Sequence, residues 1–353
     1  MMEAHTTSIA NQINQKLPFV LYSKPNSGTV CGLLQNEDTL YEVKDFTESG
    51  FVFASFDGKL THIIPDDACK RVVFDRNTFG LSITENAVFE VKEDSKVSFE
   101  NLVSAGIEAI KKNQMKKVVL SRKETVALSY FDLITTFQKL IQRYPTAFVY
   151  CFYHPKVGTW LGATPEQLVK SHDNEFETIS LAGTQKQQGT DEVLWQKKEQ
   201  EEQQFVTDYI VDKLKSKSYN LKVSVPYSVQ AGNIWHIKTD INAFFNEGSN
   251  LNEIVHLLHP TPAVCGFPKE ESKAFILAEE QYDRKYYTGF LGELNQKGTG
   301  GSLNSDLFVN LRCMEIEEDH ANVYIGCGIT KDSDPVKEWE ESVNKSLTMK
   351  SVL

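Results

Sequence analysis

The segment from His259 to Pro268 restricts the backbone more than any other stretch of the sequence. It reads His-Pro-Thr-Pro-Ala-Val-Cys-Gly-Phe-Pro, with three prolines and one glycine in ten residues. Proline lacks a backbone N–H and fixes φ, so this composition excludes a regular helix or an interior strand. We predict a stiff loop that presents His259 and Thr261 at fixed positions. Such loops often carry binding sites, and a plain connector with its histidine in solvent is the open alternative.

Composition and charge place the chain among ordinary globular proteins. It has 353 residues, 41% of them hydrophobic and 24% charged, which is enough for a large core. The net charge of −11 argues against nucleic acid or an anionic membrane as the main partner, because both repel an acidic surface. A small anionic substrate remains compatible with it, since such a molecule responds to local charge.

Targeting signals and cysteine spacing give the expected compartment. No stretch reaches the ~18 apolar residues of a membrane span, and the first seven residues lack the pattern of a secretory signal. The six cysteines are scattered without a C-x-x-C spacing, which is typical of reduced core residues and not of a zinc site. We therefore expect a cytoplasmic protein.

Apolar periodicity predicts an α+β fold with many strands. Residues 1–95 alternate short apolar runs with polar clusters, which is typical of antiparallel sheet. Residues 96–353 alternate amphipathic helices with strands and contain no clear linker. One strand is predicted over 306–316, and a last helix is predicted to begin with Asp334 as its cap and Pro335 in its first turn. We predict one domain over 1–353, with a β-rich N-terminal part (1–95) and a core (96–353).

Lys117 and Glu166 are candidates for proton transfer. Alternation along the strand puts Lys117 on one face and Arg122 on the other, so one of the two must point towards a packed region or a cavity. A buried lysine loses its charge readily and can then act as a base, although an exposed strand start fits as well. Glu166 follows Thr164-Pro165, which suits a helix cap or a carboxylic acid at a strand end.

Carboxylates on two predicted helices suggest a cation site. Glu202 lies on the apolar stripe of one helix with Glu199 one turn earlier. Glu338, Glu341 and Lys345 follow one stripe of the C-terminal helix. Carboxylates without histidine or cysteine suit a hard cation such as Mg²⁺. Two solvated acidic faces are the alternative.

Arg312 and a glycine pair are candidates for binding carboxylates. An arginine on a strand whose other face is apolar suits bidentate binding of a carboxylate, and a structural ion pair is equally compatible. Gly326 and Gly328 end a neighbouring strand, where exposed backbone N–H groups suit a second anion.

These segments, taken together and in this order, resemble the chorismate-utilising enzymes, and within that family the isochorismate synthases most closely. The resemblance covers about residues 98–350. The motifs that carry it are Lys117–Arg122, Leu161–Glu166, Leu181–Thr184, Glu199 with Glu202, His259–Ala263, Gly266–Pro268, Tyr282–Arg284, Arg312, Gly326–Gly328, and Glu338–Glu341 with Lys345.

The resemblance implies a large single-domain fold of the anthranilate and aminodeoxychorismate synthase type, with antiparallel sheets packed face to face and helices outside. It implies a Mg²⁺-dependent isomerisation of chorismate to isochorismate, in which water attacks C2 and the C4 hydroxyl leaves. Lys117 would activate the water, and Glu166 would protonate the leaving hydroxyl. Glu202 and Glu341 would hold Mg²⁺, with Glu199 and Glu338 as nearby or water-mediated ligands.

The remaining matched positions take binding roles by the same resemblance. Arg312 and Lys345, with the backbone at Gly326 and Gly328, would hold the substrate carboxylates. The ring pocket would be lined by His259, Gly183 and Thr184.

Two positions separate the members of the family. Ala182 stands where the aminodeoxychorismate synthases that form a covalent intermediate carry a lysine. Anthranilate synthases lack the lysine base seen here as Lys117 and take ammonia from an amidotransferase, so we expect no such partner and a monomer. Salicylate synthesis, in which pyruvate is then eliminated, and a catalytically silent chorismate-binding subunit remain alternatives. Menaquinone and siderophore pathways are both compatible with the product.

Overall fold

Runs of consecutive strands along the chain are separated by helices. The computed structural model describes residues 9–79, 93–186, 193–231 and 234–353. The strands are β1 (Phe19–Ser23), β2 (Thr29–Gln35), β3 (Tyr41–Glu42), β4 (Gly50–Ala54), β5 (Thr61–Pro65), β6 (Cys69–Asp75), β7 (Lys117–Ala127), β8 (Phe148–His154), β9 (Gly158–Thr164), β10 (Gln167–His172), β11 (Glu175–Lys186), β12 (Ser218–Val223), β13 (Tyr227–Ala231), β14 (Ile234–Phe245), β15 (Gly266–Phe267), β16 (Phe290–Lys297), β17 (Leu303–Val309), β18 (Cys313–Ile316) and β19 (His320–Ile329). The helices are α1 (including residues 9–14), α2 (Glu93–Lys111), α3 (Leu133–Arg143), α4 (Lys197–Leu214), α5 (Leu251–Leu258), α6 (Lys269–Glu279) and α7 (Pro335–Lys350).

Within the described ranges, the strands form two antiparallel sheets. The first has nine strands in the order β15-β7-β19-β18-β9-β8-β1-β2-β6. The second has ten, in the order β12-β14-β11-β10-β17-β16-β4-β5-β3, with β13 paired to β14. Strands of the N-terminal part belong to both sheets, because β1, β2 and β6 lie in the first and β3 to β5 in the second. The predicted α+β class with antiparallel sheets is confirmed.

Aromatic side chains fill the space between the two sheets. Phe148 of the first sheet stacks on Phe308 of the second with ring centroids 4.4 Å apart, and Phe53 stacks on Phe152 at the same distance. Alternation places every second residue of these strands on the inner face. Each buried aromatic ring removes about 150–250 Å² from water, roughly 4–6 kcal/mol of transfer free energy. This layer holds the sheets face to face.

Helices cover the outer faces of the sheets. Phe137 and Leu140 of α3 pack on the first sheet. A second cluster joins α2, α6 and α7 to β7 and β19. The outer face of the second sheet packs against α4 and α5. Among the described residues, no helix has the length and apolarity needed to cross a membrane.

The predicted strand over 306–316 is wrong as one element. β17 ends at Val309 in the second sheet, and β18 begins at Cys313 in the first. Residues 310–312 carry the chain from one sheet to the other, and Arg312 has φ of 47°. That left-handed conformation ends a strand. The break follows from the sheet-to-sheet crossing, which local apolar periodicity does not encode.

The proline-rich segment is an irregular loop that ends in a short edge strand, as its composition predicts. Gly266 and Phe267 pair with Val118 and Lys117 of β7. Gly266 has φ of 139°, and a Cβ at this position would lie 2.3 Å from the carbonyl oxygen of Lys117. Only glycine allows the backbone to approach β7 this closely.

Candidate active site

A cavity of about 160 Å³ opens between segments of both sheets and two helices. This is close to the roughly 150 Å³ of an engineered cavity that admits benzene. It therefore has room for a single small ring. The lining residues are Lys117, Val119, Pro165, Glu166, Leu181, Ala182, Gly183, Glu199, Glu202, His236, Ala263, Val264, Tyr287, Thr288, Leu311, Arg312, Tyr324, Gly326, Gly328, Glu338, Glu341 and Lys345.

Lys117 reaches this cavity from the start of β7. Its side chain is 3% exposed, and its Nζ lies 2.8 Å from Oε1 of Glu202 on α4. Arg122 points to the other face, where its guanidinium stacks on the Trp339 ring at 4.5 Å. The alternation predicted from sequence is therefore present, and of the two residues Lys117 and Arg122, Lys117 faces the cavity. Glu202 is shared between the predicted base and the predicted cation site.

Glu166 lies between β9 and β10, and no helix begins there. The helix-cap alternative is therefore wrong. The Thr164 hydroxyl instead donates a hydrogen bond to the carbonyl oxygen of Val309, at 2.6 Å. Burial raises the pKa of Glu166 to about 7, although the charges of Lys117, Arg312 and Lys345 oppose the rise. Near neutral pH this carboxyl group holds a proton for a large part of the time.

Arg312 and Lys345 add two cations to the cavity wall. The Arg312 guanidinium forms no hydrogen bond and no ion pair with another described residue. Burial lowers the pKa of Arg312. Lys345 on α7 contacts Glu341 at 2.6 Å and the carbonyl oxygen of Gly326 at 3.1 Å. The structural ion pair considered for Arg312 is therefore not formed. A planar cation that lines a cavity in this way suits an anionic ligand.

Gly326 and Gly328 line the cavity, and their backbone amides are not hydrogen-bonded to β7. They lie opposite Ser121 and Val119 of β7. Both of those residues donate their N–H groups away from β19. Facing residues of an antiparallel ladder point their amides either at each other or apart. The amides of both glycines therefore point away from β7, as an anion-binding role requires.

Four carboxylates on α4 and α7 line the cavity, and their chemistry fits a hard cation. One oxygen of Glu199 is buried without a hydrogen-bond partner. Ligand atoms of Glu338 and Glu341 lie within 4.8 Å of one another and of the Cys327 thiol. Burial raises the pKa of Cys327, so this sulfur stays a neutral thiol. The remaining donors are carboxylate oxygens, which Mg²⁺ prefers, and Glu202 adds a fourth.

His236 on β14 lines the cavity, a position that the sequence did not reveal. Its Nδ1 lies 2.9 Å from the carbonyl oxygen of Gly183 on β11. Burial lowers the pKa of His236 to about 4, with Arg312 adding to the effect. The ring is therefore neutral, with its proton on Nδ1 and Nε2 left as an acceptor. In the sequence it is one histidine within a predicted strand, with no pattern that separates a cavity position from a core one.

The sequence predicts that Gly183, Thr184 and His259 line the ring pocket. The side chain of Thr184 lies outside the described residues, whereas Gly183 lines the cavity. His259 does not line it, so the prediction for His259 is corrected. Its ring packs on Phe290 with centroids 5.1 Å apart, and its Nε2 contacts the carbonyl oxygen of Ser55 at 3.2 Å. The stiff loop turns this histidine into the core, while Ala263 and Val264 line the cavity.

A family model described as chorismate binding enzyme matches residues 66–353. The chain therefore belongs to the chorismate-binding enzymes. It is 30% identical over 287 residues to the isochorismate synthase EntC of Escherichia coli strain K12, an alignment that covers 78% of this chain and 71% of that protein.

Solved structures show the same fold. MenF, the menaquinone-specific isochorismate synthase from Escherichia coli, superposes with a TM-score of 0.80 at 20% identity, covering 95% of this chain and 88% of that one. Anthranilate synthase component I from Streptococcus pneumoniae TIGR4 gives a TM-score of 0.71 at 17% identity, covering 94% and 92%. The predicted fold of the anthranilate synthase type is confirmed.

Proposed function

We propose that the protein is an isochorismate synthase that converts chorismate to isochorismate with the help of Mg²⁺. One observation carries the proposal within this family. A single cavity brings together a lysine, a carboxyl group with a pKa of about 7, two further cations and a set of four carboxylates. The similarity to EntC, which is named as an isochorismate synthase, supports the same reaction.

Lys117 and Glu166 take the two proton transfers. The amine of Lys117 removes a proton from a water molecule, and the oxygen of that water bonds to C2 of the ring. The ring double bonds shift, and the C4–O bond breaks. Glu166 gives its proton to the departing hydroxyl, which leaves as water. The pKa of about 7 suits an acid that works near neutral pH, because the protonated form is abundant and still donates readily.

Arg312, Lys345 and the two glycine amides would bind the substrate carboxylates. The substrate is a dianion, and the protein carries a net charge of −11. Local positive charge must therefore offset the repulsion. Arg312 suits this purpose because no protein carboxylate pairs with it among the described residues.

Glu202 and Glu341 would hold the metal, with Glu199 and Glu338 beside them. Bound Mg²⁺ supplies positive charge for the ring carboxylate of chorismate. The buried, unpartnered oxygen of Glu199 supports this assignment, because an orphaned carboxylate oxygen is costly unless a ligand satisfies it.

The nucleophile proposed here is water. Ala182 lines the cavity at the position where a lysine would form a covalent intermediate. We infer that the chain acts as a monomer in the cytoplasm without an amidotransferase subunit. Ammonium salts should therefore leave the product unchanged.

Incubation of the purified protein with chorismate and Mg²⁺ tests the proposal. We expect chorismate to be consumed, isochorismate to appear in liquid chromatography, and EDTA to stop the reaction. No consumption of chorismate would contradict the proposal and would favour a silent binding subunit. Coupling to lactate dehydrogenase detects pyruvate in the same mixture, and stoichiometric pyruvate with salicylate fluorescence would identify a salicylate synthase instead.

The metal assignment predicts a difference between neighbouring residues of α7. Glu341→Gln removes a ligand charge and should raise the Mg²⁺ concentration for half-maximal activity by about 10–100-fold. Glu340 is exposed, so Glu340→Gln is the matched control and should behave like the wild type. Titration of activity with Mg²⁺ makes the comparison. An unchanged Mg²⁺ requirement in Glu341→Gln would remove Glu341 from the metal site.

A further inference from the structure

A buried ion pair between Glu280 and Arg284 lies behind the cavity wall and is unused in the chemistry above. Nε of Arg284 donates to Oε2 of Glu280 at 2.7 Å, and Nη2 donates to Oε1 at 2.6 Å. The side chains are 1% and 2% exposed. Arg284 belongs to the Tyr-Asp-Arg motif of the sequence, and neither residue lines the cavity.

The free edge of the Arg284 guanidinium bonds to three separate segments. Nη2 donates to the carbonyl oxygen of Val119 on β7 at 2.7 Å. Nη1 donates to the carbonyl oxygen of Val264 in the proline-rich loop at 3.1 Å and to the hydroxyl of Thr288 at 3.2 Å. All three of these residues line the cavity. One side chain therefore ties together three pieces of the wall.

Glu280 holds the same strand from the other side of the pair. Its Oε1 accepts from the backbone N–H of Ser121 at 2.7 Å and from the Ser121 hydroxyl at 2.9 Å. Ser121 is four residues from Lys117 on β7. The ion pair therefore bonds to β7 at two positions on the same face of the strand. Arg284 bonds to Val119, and Glu280 bonds to Ser121.

Aromatic contacts fix the plane of the guanidinium. Arg284 lies 4.5 Å from the centroid of Phe56 and 5.8 Å from that of Tyr287, which lines the cavity. The backbone N–H of Tyr287 also donates to the carbonyl oxygen of Arg284 at 2.9 Å. A stacked, planar fork holds its bonding directions far better than a flexible ammonium does.

We propose that Glu280 and Arg284 are positioning residues that set the strand of Lys117 against the loop at Val264 and the segment at Tyr287–Thr288. This inference rests on the proposed function, in which the amine of Lys117 must meet water at one ring carbon. Displacement by about 1 Å costs on the order of 100-fold in rate for such a step. Stability alone explains the pair poorly, because a buried ion pair is often no better than an apolar pair of the same size.

The test compares two paired substitutions. Glu280→Gln with Arg284→Met removes both charges, and the bonds to Val119, Val264 and Thr288 are lost. Lys24→Met with Glu293→Gln is the control, because this 2.5 Å ion pair involves residues outside the cavity lining. At a temperature well below both Tm values, we expect kcat of the first variant to fall about 100-fold, with KM for chorismate nearly unchanged and the control near wild type.

Arg284→Lys keeps the charge and the pairing with Glu280 but cannot span three acceptors. We expect it to lose most of the same kcat, and it carries the test if the paired variant does not fold. Full kcat in Arg284→Lys, wild-type kcat in the paired variant, or an equal loss in the control would each overturn the proposal.

Hydrogen–deuterium exchange gives a readout that does not depend on turnover. Peptides covering 117–121 and 261–265 should exchange at least about tenfold faster in the Arg284 variants than in the wild type or the control pair. If the wild type fails to convert chorismate, the proposed function fails, and exchange alone decides the positioning role. Unchanged exchange at both peptides would then overturn it.

Discussion

Glu166 shows how burial changes a single carboxyl group. Its sequence neighbours, Thr164 and Pro165, are equally suited to a helix cap, so local chemistry did not separate the two roles. In the structure Glu166 is 7% exposed, and the charges of Lys117, Arg312 and Lys345 act on its carboxyl group. Desolvation outweighs these charges and raises the pKa to about 7. The functional role proposed for Glu166 depends on this balance.

The activity should therefore fall with rising pH. As pH rises through about 7, kcat/KM should decline about tenfold per unit, because the free enzyme loses the proton that Glu166 must donate. Glu166→Gln should lower kcat by about 10²–10⁴-fold and remove this limb. Glu175 is exposed on β11, so Glu175→Gln serves as control. If the fall in kcat/KM above about pH 7 were unchanged in Glu166→Gln, another group would be responsible for it.

The contribution of Glu166 to stability should also fall as pH rises. A carboxyl group with a raised pKa binds its proton more tightly in the folded state, so its contribution to stability is present below about pH 4 and is lost as pH rises through about 7. Glu166→Gln should accordingly have a higher Tm than the wild type at pH 8, and this gain should shrink at pH 5. Thermal unfolding at the two pH values measures the difference.

At the scale of elements, β7 and β19 carry the cavity chemistry on one face. Lys117 and Val119 of β7 alternate with core residues that pack under the helices. Across from them, Gly326 and Gly328 carry no side chain, and groups of other residues lie within 3 Å of where a Cβ would stand. The alternation was readable from sequence, because the period of two is a local property of a strand. The reason for the glycines was not, since it lies in the residues of other elements that approach them.

Gly328→Ala tests this packing. The added Cβ would lie 2.9 Å from Oε1 of Glu202 and 3.2 Å from Cε of Lys117, so the pair must move. We expect kcat to fall by at least about tenfold, with an unchanged circular dichroism spectrum. Gly28→Ala is the control, because its Cβ would meet nothing within 4 Å. Wild-type kcat in Gly328→Ala would show that the Lys117–Glu202 geometry is not critical.

For the C-terminal helix as well, the sequence predicted local features but not the element that faces it. Asp334 caps α7 through the N–H groups of Val336 and Lys337, as the local sequence predicts. The stripe of Glu338, Glu341 and Lys345 also follows from helical spacing. Helix spacing does not say which element lies opposite this stripe. Only the family resemblance placed the stripe near Glu199 and Glu202 of α4.

At the scale of the whole molecule, the cavity joins both sheets. β7 and β19 of the first sheet and β11 and β14 of the second line it together with α4 and α7. A ligand in this position contacts groups that come together only in the folded chain. It should therefore stabilise the native state against global unfolding.

Chorismate and Mg²⁺ together should raise Tm. The Glu166→Gln variant suits this measurement, because it should bind the substrate and convert it far more slowly than the wild type. At ligand concentrations of about 100 times Kd, the stabilisation is about 2.7 kcal/mol, which corresponds to several degrees for a chain of this size. Chorismate with EDTA should give a smaller shift. No shift with both ligands present, measured by calorimetry, would argue against binding in the cavity.

The sequence by itself determined the properties that depend on near neighbours. These include the start of the C-terminal helix at Asp334, the alternation that turns Lys117 and Arg122 to opposite faces, and the irregular backbone at 259–268. Each follows from sterics and hydrogen bonding within a few residues, and the ordered motifs added the family. Tertiary structure alone decided the break at residues 310–312, the pKa of Glu166, the place of His236 and the turn of His259 into the core. Those depend on contacts between residues far apart in the chain, where burial and charge are properties of the assembled fold.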